Sequence, residues 1–259
     1  MRSLALAASD SMVLARRNLL RIPRQPDLLI GFTLQPVMFV VLFVYVFGGA
    51  IRLPSFYDGY ADFMLPGIIV QTMSFGGFVT ALGLADDLGK GLIDRFRSLP
   101  MARSAVLVGR TVADIATNTI SLAIMIAVGM LVGFSFGTGP LEIAAGLGLM
   151  LLFGFAFSWI FALIGMTVSS GEAANAVGFM VIFPLTFISS AFVPPETFPA
   201  ALEAFAAVNP FTITVDAMRA LFLGAPAGNN IWGAVAWAVG LIVVFAPLAV
   251  RRYRRAVAS

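Results

Sequence analysis

The sequence contains no cysteine and no histidine. That inventory removes thiolate and imidazole nucleophiles, Ser-His-Asp and Cys-His hydrolysis, disulfides and the usual zinc sites. No catalytic residue and no metal ligand set is expected. The polar residues left inside long apolar stretches are Gln35 (just before Pro36), Gln71, Thr72, Ser74, Thr80, Asp114, Asn118, Glu172 and Asn175. An ionisable group inside a membrane is by default a candidate for function. Asp114 follows Arg110 by four residues, however, and Glu172 falls in the turn Ser169–Glu172, so both read as interfacial and a proton relay is poorly supported. The uncharged Gln35, Gln71, Asn118 and Asn175 have two readings. They line a translocation path, or they hydrogen-bond between helices at about 1 kcal/mol or less each. Gly89-Lys90-Gly91 is the nearest approach to a phosphate loop, but it lacks the upstream glycine spacing and the hydroxyl residue. The chain therefore offers no such nucleotide site.

The elements that must carry these residues follow from composition. The 259 residues are 60% hydrophobic and 11% charged, with a mean hydropathy of +0.98. Soluble domains run at about 45–50% apolar and about 25% charged, so a water-soluble fold is excluded. A spanning helix needs about 20 apolar residues, and six stretches qualify: 29–50, 63–85, 112–133, 141–168, 173–193 and 231–250. Long unbroken runs argue against an outer-membrane barrel, whose strands alternate. Fourteen of the 16 Lys and Arg residues lie before the first span, between the second and third, or after the sixth; only Arg52 and Arg219 fall in the alternate loops. The positive-inside rule then puts both termini in the cytoplasm. The basic balance marks topology rather than a nucleic-acid partner. The expected fold is an all-α polytopic membrane protein of six spans in a single domain over 1–259.

Three segments outside the spans are long enough to matter. Residues 9–22 place Met12, Ala15, Leu19 and Ile22 on one side and Arg17 and Arg21 on the other, and Pro23 stops the run. This reads as an amphipathic helix lying in the inner interface. Residues 85–110 form the one sizeable cytoplasmic loop, with an expected helix over 86–100. Leu88, Leu92, Ile93, Phe96 and Leu99 share one helical face, Asp86, Asp87, Lys90, Asp94 and Arg97 the opposite face, and Pro100 ends the run. Such a rod between two spans offers a surface for a cytoplasmic partner, or it is a solvated connection whose ion pairs contribute little. Residues 194–230 are broken by Pro194, Pro195, Pro199 and Pro210 into two expected helices, 199–208 and 213–223, the second carrying Asp216 and Arg219 at i,i+3. Their apolar residues require them to fold back on the bundle or dip into the outer leaflet. Gly129, Gly133 and Gly137, then Gly146, Gly148 and Gly154, read as close-packing faces.

Three strings carry a family likeness: FMLPGIIVQTMSFGGF from Phe63 with DDLGKGLIDRFRSLPMARSAVLVGR from Asp86 to Arg110; SSAFVPPETFPAALEAFAAVNPFTITVDAMRALFLG from Ser189 to Gly224; and the six-span layout with its interfacial leader. Together these resemble the ABC-2 type transporter permease family, closest to the daunorubicin/doxorubicin-resistance membrane subunit. The resemblance implies a half-transporter in which two permease chains work with two separately encoded ATP-binding subunits, ATP and Mg residing on the partner. It implies that 86–100 is a coupling helix seated in a groove of the ATPase, with Asp86, Asp87, Lys90, Gly91, Asp94, Arg95, Phe96, Arg97, Leu99 and Pro100 falling on it. Asp94 stands where many members have Glu. Asn209, Pro210, Asp216 and Arg219 match the external helical pair, which the resemblance places with span 5 beside the translocation path. The expected role is export of hydrophobic or amphiphilic compounds across the bacterial cytoplasmic membrane. Alternatives are a polysaccharide or glycolipid exporter of the same fold and an ion-coupled secondary transporter.

Overall fold

The computed structural model describes residues 26–47, 56–57, 59–89, 105–168 and 170–258. Every regular element among the described residues is helical. The expected interfacial helix at 9–22 lies outside them. The helices are α1 (Pro26–Leu42, continued by a π-helical turn Phe43–Phe47), α2 (Tyr60–Ser74), α3 (Phe78–Gly89), α4 (Ala105–Leu131), α5 (Pro140–Gly165), α6 (Gly171–Phe187), α7 (Ala200–Val208), α8 (Pro210–Leu223) and α9 (Asn230–Ala258). Apolar residues surround the long helices, as expected for elements buried in protein on one side and lipid on the other. In α5 the single charged residue is Glu142, in the first turn beside Pro140 at N1, where both the helix dipole and the missing proline N–H favour a start.

Four helical stretches are long and apolar enough to cross a membrane: Tyr60–Ala85, Gly109–Leu131, Pro140–Gly165 and Asn230–Arg255. Shorter apolar helices, Leu34–Val46 and Gly171–Phe187, occupy the expected first and fifth spans. The fifth ends at Phe187 instead of running to 193. Pro184 lacks the N–H of a continuing helix, Ile188 leaves helical geometry, and the chain turns before Pro194.

Helix α5 is the hub, packing on α2, α3, α4, α6, α8 and α9. Small residues bring backbones together at the crossings. A Cβ on Gly165 would collide with the Ala81 carbonyl of α3, and one on Gly67 with the Ala191 carbonyl. The glycines read as close-packing faces act largely within the chain: Gly129 faces Leu65, Gly137 the Leu223 carbonyl and Gly146 the Phe222 ring. Replacing Gly165 with valine is expected to cost about 1–3 kcal/mol, because neither backbone yields without separating two helices. Thermal unfolding in detergent micelles measures it.

The two ends of the bundle differ. At one end Leu84, Leu107, Met166, Ala249 and Tyr253 form a small core. Around it, the Arg252 Nε donates to the Met166 carbonyl (3.3 Å) and the Arg110 guanidinium lies against Gly83. At the opposite end the α4–α5 connection seals the last turn of α8. The Gly137 N–H donates to the Phe222 carbonyl (2.9 Å) and the Thr138 hydroxyl to the Leu221 carbonyl (2.6 Å). Gly224, at φ 75°, closes α8 in the left-handed region.

Candidate functional site

Within the helical stretch Tyr60–Ala85 the regular pairing is interrupted once. Helix α2 ends at Ser74, Phe75, Gly76 and Gly77 form a tighter turn, and α3 resumes at Phe78. The bonds across this turn are short-range: Gly76 N–H to the Met73 carbonyl (3.1 Å) and Phe78 N–H to the Phe75 carbonyl (2.9 Å). Irregular backbone within a spanning segment must be buried in protein or line a cavity. Here it does both. A Cβ on Gly77 would lie 2.5 Å from the Ser158 Cα of α5, while Phe75 and Gly76 line a cavity of about 360 Å³.

Five helices supply the rest of the wall. Helix α1 contributes Gln35, Pro36 and Phe39; α2 contributes Gln71 and Thr72; α3 contributes Phe78 and Val79. Helix α4 presents Thr117, Asn118 and Ser121, and α6 presents Asn175, Phe179 and Phe183, a stripe at i,i+4,i+8. Gln35, Gln71, Asn118 and Asn175 therefore meet around one cavity from four different helices. No charged side chain is among the lining residues.

Asn118 is 2% exposed, and its carboxamide fills the space that side chains at Gly76 and Gly154 would take. Its Nδ2 has no hydrogen-bond partner among the described residues, and neither does the buried Oδ1 of Asn175. Buried polar atoms are ordinarily paired, because an unpaired one costs on the order of 1–3 kcal/mol. One turn from Asn118, Asp114 accepts from the Thr80 hydroxyl (3.0 Å), joining α4 to α3. Asp114, expected at the membrane interface, is 5% exposed, packed where α4 meets α3 and α5. Glu172 is exposed in the first turn of α6, which Ser170 caps by accepting from the Ala173 N–H (3.2 Å).

The four residues assigned to the external helical pair hold the opposite end together. Asn209 caps α8 by accepting from the Phe211 N–H (2.9 Å), and Pro210 occupies N1. The Asn209 amide also donates to the Leu185 and Ile188 carbonyls (2.7 and 2.6 Å), covering the end of α6. Arg219 is 3% exposed. Its Nη2 donates to the Phe63 and Ser190 carbonyls (both 2.7 Å), its Nε to Phe63 again (3.1 Å), and its Nη1 to Asp216 (3.0 Å). The guanidinium stacks 3.8 Å from the centre of the Phe63 ring. Burial lowers the Arg219 pKa and the Asp216 carboxylate opposes that; burial raises the nearby Tyr57 phenol. Helix α8 is accordingly a core element, with Phe211, Val215, Met218 and Phe222 wholly buried. Asn209→Ala is expected to destabilise the fold by about 2 kcal/mol, through the lost cap and two stranded carbonyls. A thermal-shift series with Asn209→Asp, which keeps only the cap, separates the two contributions.

Helix α3 extends through Asp86 and Asp87 to Gly89. Lys90, Gly91, Asp94, Arg95, Phe96, Arg97, Leu99 and Pro100 lie outside the described residues. Among the described residues no His, Cys, Asp and Glu group is arranged to hold a metal ion. The cavity also includes residues that the sequence does not single out: Phe75, Thr117, Ser121, Phe179 and Phe183. The sequence signal that could have found the aromatic ones on α6 is the four-residue period of Asn175, Phe179, Phe183 and Phe187.

A protein-family model described as ABC-2 type transporter matches residues 10–223. The chain is 34% identical over 250 residues to the daunorubicin resistance ABC transporter permease protein DrrB1 of Streptomyces coeruleorubidus, covering 96% of this chain and 88% of that protein. It is 25% identical over 252 residues to the probable doxorubicin resistance ABC transporter permease protein DrrC of Mycobacterium tuberculosis, covering 97% and 90% respectively. The putative transport permease ycf38 of Cyanophora paradoxa is 26% identical over 215 residues, covering 82% of this chain and 74% of its own length.

Proposed function

The chain belongs to the ABC-2 type transporter family, and we propose that it is the membrane half of an exporter moving hydrophobic or amphiphilic compounds out across a bacterial cytoplasmic membrane. The energy comes from a separate ATPase subunit that holds ATP and Mg; this chain is a permease. The observation that carries the reading is the uncharged cavity at the turn in span 2, where five phenylalanines and seven uncharged polar residues share the wall. It is of the size and chemistry of a small-molecule site, apolar walls with placed polar groups. The drug-resistance names of two relatives support the same class of cargo.

In this reading there are six spans with both termini cytoplasmic. The gathering of Arg110, Arg252 and the C-terminal arginines at one end of the bundle supports that orientation. Two permease copies pair with two ATPases. Residues 86–100 form the coupling helix, and Gln35, Gln71, Asn118 and Asn175 line the path. Helix α3 runs without interruption to Gly89, so a push on the following segment is delivered to α3. The Phe75–Gly77 turn separates α3 from α2, and the Thr80–Asp114 hydrogen bond ties it to α4. Closure of the ATPase dimer would thus swing α3 and α4 together and exchange inward-open for outward-open packing.

The test is ATP-dependent efflux of a lipophilic fluorescent drug from vesicles containing the chain and its ATPase. Ser121→Trp fills the cavity and is expected to abolish transport while ATPase capture persists. Undiminished efflux by that variant, or uphill efflux by the chain alone, overturns the proposal.

A further inference from the structure

We infer that Arg251, Arg254 and Arg255, where α9 leaves the membrane, bind the phosphate of an anionic phospholipid whose acyl chains lie along the same helix. The inference is independent of what the cavity carries. It starts from how α9 is turned. Tyr253 is 2% exposed and packs with Leu84, Leu107 and Met166 in the small core at this end, which fixes the rotation of the last turns. At about 100° per residue, Arg251 and Arg255 then stand opposite Tyr253 with Arg254 beside them, and all three are exposed. Arg252 is engaged elsewhere, on the Met166 carbonyl (3.3 Å). Among the described residues no ion pair or hydrogen bond holds the other three guanidinium groups, and α9 itself carries no carboxylate.

The second observation is the surface these arginines continue. Trp237, Val243, Val244 and Leu248 are exposed on the same side of α9, the least buried of the four spanning stretches. One turn past Leu248 this apolar stripe gives way to the guanidinium groups. A second copy laid on the stripe about a two-fold axis would set the same arginines against each other, whereas a lipid brings acyl chains to the stripe and a negative charge to its end. The third observation is depth. Trp232, 77% exposed, stands at the other end of the helix, as Trp does at a membrane boundary. From Trp232 to Arg251 the helix rises about 28 Å, close to a hydrocarbon thickness of about 30 Å. The arginines therefore reach the phosphate layer.

Planar guanidinium donors pair two at a time with phosphate oxygens. A phosphatidylglycerol headgroup brings one uncompensated negative charge to the three arginines; a phosphatidylcholine headgroup brings a cation as well. A soluble anion gains the same contacts but nothing from the apolar stripe. The experiment titrates the full chain in detergent with dioleoylphosphatidylglycerol or dioleoylphosphatidylcholine and counts bound lipids by native mass spectrometry. The first anionic lipid is expected to bind about tenfold more tightly than the zwitterionic one. Joint Arg251→Gln, Arg254→Gln and Arg255→Gln should abolish the preference. Should that variant fail to insert, Arg251→Gln with Arg255→Gln, which keeps two arginines to hold the orientation, should cut it to about threefold. Arg16→Gln with Arg17→Gln and Arg21→Gln, the same charge change elsewhere, should leave it intact. Equal binding of the two lipids, a preference that survives the triple substitution, or one lost equally in the distant control overturns the site. Displacement of the lipid by glycerol phosphate assigns the arginines to a soluble anion and overturns the lipid reading.

Discussion

Arg219→Ala is expected to cut the yield of folded protein severely. The side chain is 3% exposed and supplies donors to three separate parts of the chain: the Phe63 carbonyl of α2, the Ser190 carbonyl after α6, and Asp216 on its own helix. Alanine leaves all three without their cation. Asp216 is about a third exposed and still accepts from the Ser190 hydroxyl (2.8 Å), so the loss falls mainly on the buried Phe63 and Ser190 carbonyls, at about 1–3 kcal/mol each. Against a total stability of about 5–15 kcal/mol for a typical domain, that is a large share. Lysine keeps the charge but not the planar fork that reaches Phe63 through two nitrogens, so Arg219→Lys should recover only part of the yield. Asp216 retains about a third of its exposure, and Asp216→Asn should be milder. Size-exclusion profiles and melting curves in detergent check the series. An Arg219→Ala protein that melts with the wild type would show that the clamp contributes nothing.

Phe96→Asp is expected to remove transport and co-purification of the ATPase while leaving membrane insertion unchanged. The coupling role of 86–100 is our proposal, and the sequence gives it a definite physical consequence. Helical spacing in the sequence groups Phe96 with Leu88, Leu92, Ile93 and Leu99 as one apolar set. A carboxylate there must be desolvated in the partner's groove, at several kcal/mol, and about 4 kcal/mol is on the order of a thousandfold in affinity. The double substitution Asp94→Ala, Arg95→Ala should give the same phenotype through lost polar contacts. Full ATPase capture by the Phe96→Asp chain would end the coupling assignment.

Much of this architecture could be read without coordinates because lipid imposes a simple rule on composition. The long apolar runs became helices close to the expected limits, and the two helices between spans 5 and 6 lie near where the prolines place them. The turn in span 2 was not legible. Phe75-Gly76-Gly77 lies in a run of even hydropathy, and glycines there are equally consistent with close helix packing. Arg219 was read as a loop cation with a local partner; the carbonyl it holds at Phe63 is 156 positions away and carries no sequence signature. The four uncharged polar residues were identifiable, but one helical wheel at a time does not say which helices are neighbours. Their meeting at one cavity is a product of tertiary packing, as is the burial of Asp114 beneath α3 and α5.

A change of backbone pairing placed at a packed crossing ties two properties together. Gly77 rests on Ser158 of α5, and its neighbours Phe75 and Gly76 line the cavity. Any displacement of α3 along α5 would therefore reshape the cavity wall itself.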